Sequence, residues 1–136
     1  MLPTDVGAEV KVVAGFSPRA SAGETINGAA IDRQGFQSCV LHARSGAVSG
    51  APTTVTYNVK LQESADGVAG WTDILGAAVE QITAADTEKH VDVNLAGVKP
   101  YIRVVGVTAF TGGTAPTLGV AATVALGGAV VKPTSY

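Results

Sequence analysis

The clearest pattern in the chain runs from Val55 to Leu61. There Val55, Tyr57, Val59 and Leu61 alternate with Thr56, Asn58 and Lys60. A period of two sends successive side chains to opposite faces of a strand, so one face meets a core and the other meets water. The same alternation recurs in Val91, Val93 and Leu95 against Asp92 and Asn94, and again through Leu118, Val120, Ala122, Val124 and Leu126. Residues Gly35 to Arg44 differ. Cys39, Leu41 and Ala43 share one face, yet Phe36, Val40 and His42 share the other, which predicts a central strand. Tyr101 to Phe110 predicts a further strand whose only charge is Arg103.

The punctuation between these runs fits short strands. Asn27-Gly28, Ala96-Gly97 and the Ser64, Asp66, Gly67 cluster are turn signals, and SGAVSGAP over Ser45 to Pro52 reads as a loop. Trp71 to Leu75 starts a return strand, and Glu9 to Ala14 fits a short first one. Thr83 to Lys89 fits either a single helical turn capped by Thr83 or a polar loop. Seven or eight short strands at this spacing predict an all-β fold: a small β-sandwich or jelly-roll-like barrel. Pro3, Gly7, Gly15, Pro18, Gly23 and Gly28 interrupt the beginning of the chain. The expected division is therefore an irregular N-terminal arm with the first short strand over 1–30, and the sandwich over 31–136.

Composition sharpens this picture. Charged residues are 15% and hydrophobic residues 46% of the 136, while aromatics are only 5% and glycines number 17. The low charge excludes disorder driven by charge, and the wealth of Gly, Thr and Val disfavours a helical bundle. A net charge of −2 offers nothing to a phosphate backbone, so no nucleic-acid partner is expected. No charged residue occurs from Val104 to Val131. That run is long enough for a bilayer, but Gly112-Gly113, Pro116 and Gly127-Gly128 break it into two strands and a loop, so no membrane partner is expected. Its lack of charge points to burial against neighbouring protein.

Candidate chemistry is sparse. Cys39 is the single cysteine and cannot form an internal disulfide. His42 and His90 fall on different predicted strands, and no metal-ligand spacing accompanies them. The acidic turn near Asp66 lacks the spaced ladder of a calcium loop. No nucleophile elbow and no phosphate loop is present. No catalytic residue, metal or cofactor is therefore expected, and the chain is read as a non-enzyme. Two residues remain as interface candidates. Trp71 either caps the core or presents a stacking face, and Arg33 either pairs with Asp32 or anchors a partner.

The order Ile31-Asp32-Arg33-x-Gly35-Phe36, then Leu61-Gln62-Glu63-Ser64-x-Asp66-Gly67, then Trp71-Thr72-Asp73-Ile74, then Tyr101-Ile102-Arg103-Val104 resembles small head proteins of tailed bacteriophages, capsid decoration or cement proteins among them. The resemblance spans half to two-thirds of the chain. It implies a β-rich virion protein on the capsid exterior, made in the host bacterial cytoplasm. Its implied partners are the major capsid protein and copies of itself, in trimers. The start of the chain, which lacks a secretory signal pattern, then supplies an interface arm: Met1, Leu2, Pro3, Thr4, Asp5 and Val6, joined by Arg33 and Trp71. Two other readings stand beside it. One is a carbohydrate-binding sandwich module built around Trp71; the other is a tail, neck or head-fibre component.

Overall fold

The computed structural model describes residues 6–129. A single 3-10 turn, Val6–Ala8, precedes nine strands: β1 (Lys11–Ser21), β2 (Thr25–Asn27), β3 (Ile31–Asp32), β4 (Phe36–Ser49), β5 (Thr54–Ser64), β6 (Thr72–Ala78), β7 (Glu88–Asn94), β8 (Tyr101–Thr111) and β9 (Thr117–Ala129). One sheet has the order β1-β9-β4-β7. The other has the order β2-β8-β5-β6, with β3 also pairing β8. All pairings are antiparallel. With β2 and β3 sharing one strand position, these are the two interleaved four-strand sheets of a jelly roll, packed as a β-sandwich.

The alternating residues of the sequence form its core. Tyr57, Val59 and Leu61 from β5 meet Leu41 from β4 and Leu118, Val124 and Leu126 from β9, all at most 2% exposed. Three ties cross between the sheets. The Tyr57 hydroxyl donates to the Ala121 carbonyl on β9 at 3.1 Å. The Ser21 and Thr108 hydroxyls meet at 2.6 Å, joining β1 to β8. Phe16 reaches over the inner face of β8 at Gly106, where an added Cβ would lie 3.0 Å from its ring and 3.3 Å from that of Tyr57. Glycine at 106 thus makes room for two aromatic rings in a thin core.

The charge-free run from residue 104 folds as two strands joined at 112–116, and these occupy inner positions in different sheets. Among the described residues no helix is long and apolar enough to cross a membrane.

Several boundaries differ from those expected. Strand β1 does not stop at Ala14 but continues to Ser21, absorbing Gly15 and Pro18 through register shifts after Ala14 and Phe16. Pro18 is tolerated because β1 is an edge strand. Strands before and after residue 30 pair with the same partner, β8. Strand β4 runs on to Ser49 through residues expected to be a loop, bending after Ser45. Thr83 to Lys89 forms no helical turn. Ser45 holds that segment instead, accepting the Thr87 N–H at 3.0 Å and donating to the Ala84 carbonyl at 2.7 Å.

Two glycines lie where backbones nearly touch. Gly28 donates its N–H to Val104 at 2.7 Å. A Cβ there would sit 2.0 Å from the Gly15 carbonyl oxygen, with no flexible side chain able to move aside. Gly28→Ala is therefore expected to destabilise the fold by about 3 kcal/mol, the upper range for overpacking, as read by urea unfolding.

Burial also sets an alkaline limit. Desolvation pushes the Cys39 thiol from its ordinary 9.0 to about 11 and raises the Tyr57 phenol above its ordinary 10.0. Both groups ionise first in the unfolded chain, so their contribution is complete below about pH 9 and is lost as pH climbs through the folded values. The urea midpoint should hold between pH 7 and pH 9 and fall from there upward. Cys39→Ala should remove the earliest part of that fall.

Candidate interaction surface

The register of the two sheets places Val6, Arg33 and Trp71 at one end of the sandwich. Asp32 and Ser64 both lie opposite Tyr101, and Thr72 lies opposite Glu63. Lys11 lies opposite Leu126, and Ser38 opposite both Gly127 and Asn94. The Val6–Ala8 turn, Arg33, the 64–71 turn and the 95–100 connection therefore share this end. The loops at 50–53 and 112–116 share the other, tied by the Thr114 N–H to the Gly50 carbonyl at 2.8 Å. Met1, Leu2, Pro3, Thr4 and Asp5 lie outside the described residues.

Arg33 does not pair with Asp32. Its Nε donates to the Lys99 carbonyl at 3.2 Å and one Nη to the Phe36 carbonyl at 3.3 Å, while the other Nη donates to the Val98 carbonyl. Asp32 instead accepts the Gln34 N–H at 2.9 Å. Arg33 is thus a clamp between the start of β4 and the connection entering β8. A guanidinium suits this task because its planar fork presents several donors in fixed directions.

Trp71 is half-buried at the start of β6 and is not a core residue. The Arg103 guanidinium lies 4.6 Å from its ring centroid. Arg103 also donates from Nε and Nη2 to Gln62 Oε1 at 2.9 and 2.8 Å. Gln62 donates to Asp73 at 2.9 Å, and Lys60 donates to the other Asp73 oxygen at 3.0 Å. The Gln62 and Lys60 hydrogen bonds hold the Asp73 carboxyl below the ordinary carboxylate range. The result is a connected polar row across β8, β5 and β6 on the outer face, ending in a tryptophan. Arg103 covers one face of the indole, which removes that face from the stacking role a sugar site requires.

The turn before Trp71 is built by Asp66. Its carboxylate accepts the N–H groups of Val68 and Ala69 at 2.9 and 3.0 Å, which lowers its pKa. Ser64 donates to the Ala69 carbonyl at 2.6 Å and accepts from Gly67 at 3.1 Å. These bonds engage the acidic group locally and order the turn. Among the described residues no group of three or more His, Cys, Asp or Glu converges on a metal position.

Sequence reading missed one juxtaposition. His42 and His90 stand directly opposite each other on β4 and β7, with His42 Nε2 3.5 Å from Glu88. Only the register reveals this, and no pattern along either strand encodes it. The sequence also gave no sign that Leu75 would be fully exposed.

No family model and no curated protein sequence matches the chain. Solved structures do. A chain in the structure of infectious bursal disease virus, Gx strain, aligns with 91% of this chain at a TM-score of 0.53 and 13% identity, over 34% of its own length. A chain of the infectious bursal disease virus VP2 subviral particle aligns with 86% at a TM-score of 0.50 and 13% identity, over 32% of its own length. This chain thus spans about a third of each of these two viral chains. At such identity the likeness is one of fold: a β-sandwich of jelly-roll topology.

The Arg103–Trp71 contact has a direct readout, because Trp71 is the only tryptophan. Arg103→Ala should expose the indole and shift its fluorescence to longer wavelength. Loss of this half-buried cation–π contact should cost about 1 kcal/mol, measured by urea unfolding.

Proposed function

We propose that this chain is a structural virion protein that binds the outer surface of a bacteriophage capsid. In this reading it stabilises the expanded shell by bridging neighbouring major capsid subunits. The observation that carries it is the jelly-roll likeness to a chain of a virus particle, extending over 91% of this domain. The resemblance of the Ile31 to Phe36, Leu61 to Gly67, Trp71 to Ile74 and Tyr101 to Val104 segments to phage head proteins supports the bacteriophage part. The sparse chemistry supports a protein that joins and does not convert.

The attachment surface in this reading is the end that gathers the Val6–Ala8 turn, Arg33 and the 64–71 turn. Residues Met1 to Val6 extend it toward an adjacent capsid subunit. Arg33, clamped to three carbonyls, serves it by fixing the loops at that end. Copies of the chain associate on the shell, as trimers where they sit on threefold positions. Strands β1 and β2, which the expected arm over 1–30 included, pair within the two sheets and belong to the body. Binding that favours the expanded lattice stabilises it by mass action, about 2.7 kcal/mol per site at a hundredfold excess over the dissociation constant. Repetition over many sites makes the total large.

The full chain is expected to co-sediment saturably with expanded shells of the phage that encodes it, and not with unexpanded ones. Decorated shells should withstand a higher temperature before releasing their contents. Removing residues 1–7 should lower occupancy about tenfold or more. Failure to sediment with either form of shell overturns the attachment, and undiminished occupancy after the deletion overturns the role of the arm.

A further inference from the structure

The edge strand β6 does not keep step with β5. Lys60 lies opposite Ala78, but Gln62 lies opposite Asp73, so two steps on β5 face five on β6. The surplus is taken up between Ile74 and Ala77, where Gly76 adopts a φ of 78°. Ala77 returns to the core at 0% exposure, and Ile74 packs against its edge. Leu75 is left at the tip, 101% exposed. A bulge that merely guards a sheet edge is served by a charged or polar tip. A leucine there is a knob. Val68, at 81% exposure, lies on the connection leading into the same strand.

Beside the bulge the outer face of the same sheet holds a groove of about 280 Å³ that includes Ala78, Val105 and Val107. Val105 lies opposite Lys60 and Asn27, and Val107 lies opposite Asn58 and Thr25. Both valines therefore lie on the outer side of β8, where alternation calls for polar residues: Val107 is partly exposed, and Val105, 4% exposed, forms the floor of the groove beneath its neighbours.

We propose that this groove receives Leu75 of a second copy of the chain. The occupant follows from three features. First, the chain carries an apolar knob with no contact of its own. Second, Ala78 of the groove is three residues from Leu75, so knob and socket border each other on one edge and the patch complements itself. Rotation about an axis beside this edge seats the knob of each copy in a socket, and the angle sets whether a pair or a ring closes. Third, the rim is balanced in charge. Lys60 already neutralises Asp73 at 3.0 Å, so two copies meet there without net repulsion. This contact needs no shell and stands apart from the attachment end.

Sedimentation velocity of the full chain, over about 1 to 100 µM, tests it. The unaltered protein is expected to form a closed oligomer. Leu75→Asp should weaken association roughly 30-fold or more, with an unchanged circular dichroism spectrum. Asn58→Trp, at the exposed groove rim and clear of the core, should do the same by filling the socket. Ala14→Asp, on the outer face of the other sheet, should leave the oligomer intact. A monomer throughout the range, an oligomer that survives either of the first two changes, or equal loss with Ala14→Asp overturns the proposal.

Discussion

Tyr57 spans the space between the two sheets, and the rest of the structure is arranged around the thickness it sets. Its ring lies beside Phe16 above the bare backbone of Gly106, and its hydroxyl ends on the carbonyl of Ala121 in the opposite sheet. A buried hydroxyl must find a partner, so this bond fixes how far apart β5 and β9 stand. With few aromatics to fill volume, the sandwich closes elsewhere on Val, Leu and Ala. It closes so tightly that the backbones at Gly15 and Gly28 almost meet. The loops, the polar row over β6 and the arrangement of the ends all hang from two sheets held at this separation.

That spacing explains which features the sequence made legible. Where one face is dry and the other wet, period-two alternation is enforced, so β5, β7 and β9 stood out in the residue order. Strand β1 did not, because Gly15 and Pro18 resemble interruptions when read locally. In the fold Gly15 is a close-approach site against Val104, and Pro18 sits on an edge where no ladder bond is demanded of it. The extension of β4 to Ser49 was hidden for a similar reason, since small residues that suggest a loop are also what a bent strand uses. Arg33 and Trp71 were legible as unusual residues, but their partners were not. The carbonyls of Val98 and Lys99 and the guanidinium of Arg103 come from distant parts of the chain.

The outer surfaces differ from one another. One end holds the loops clamped by Arg33 and the turn ordered by Asp66. The side of the β8 sheet carries a row of charged and amide groups at one end and an apolar groove floored by Val105 and Val107 further along. The far end is closed by loops at 50–53 and 112–116 that pack on each other. The far edge of the β9 sheet is lined by Glu88, His90, Asp92 and Asn94, polar side chains that discourage strand addition there.

The placement of β8 and β9 has a consequence for how the molecule is made. Each lies inside its sheet, flanked on both sides by strands that precede it in the chain. During synthesis the earlier strands emerge with no central partner, so neither layer can close until residues beyond Tyr101 have left the ribosome. Closure of both sheets therefore waits on these two strands, and the long-range pairing it requires is of the kind that folds slowly.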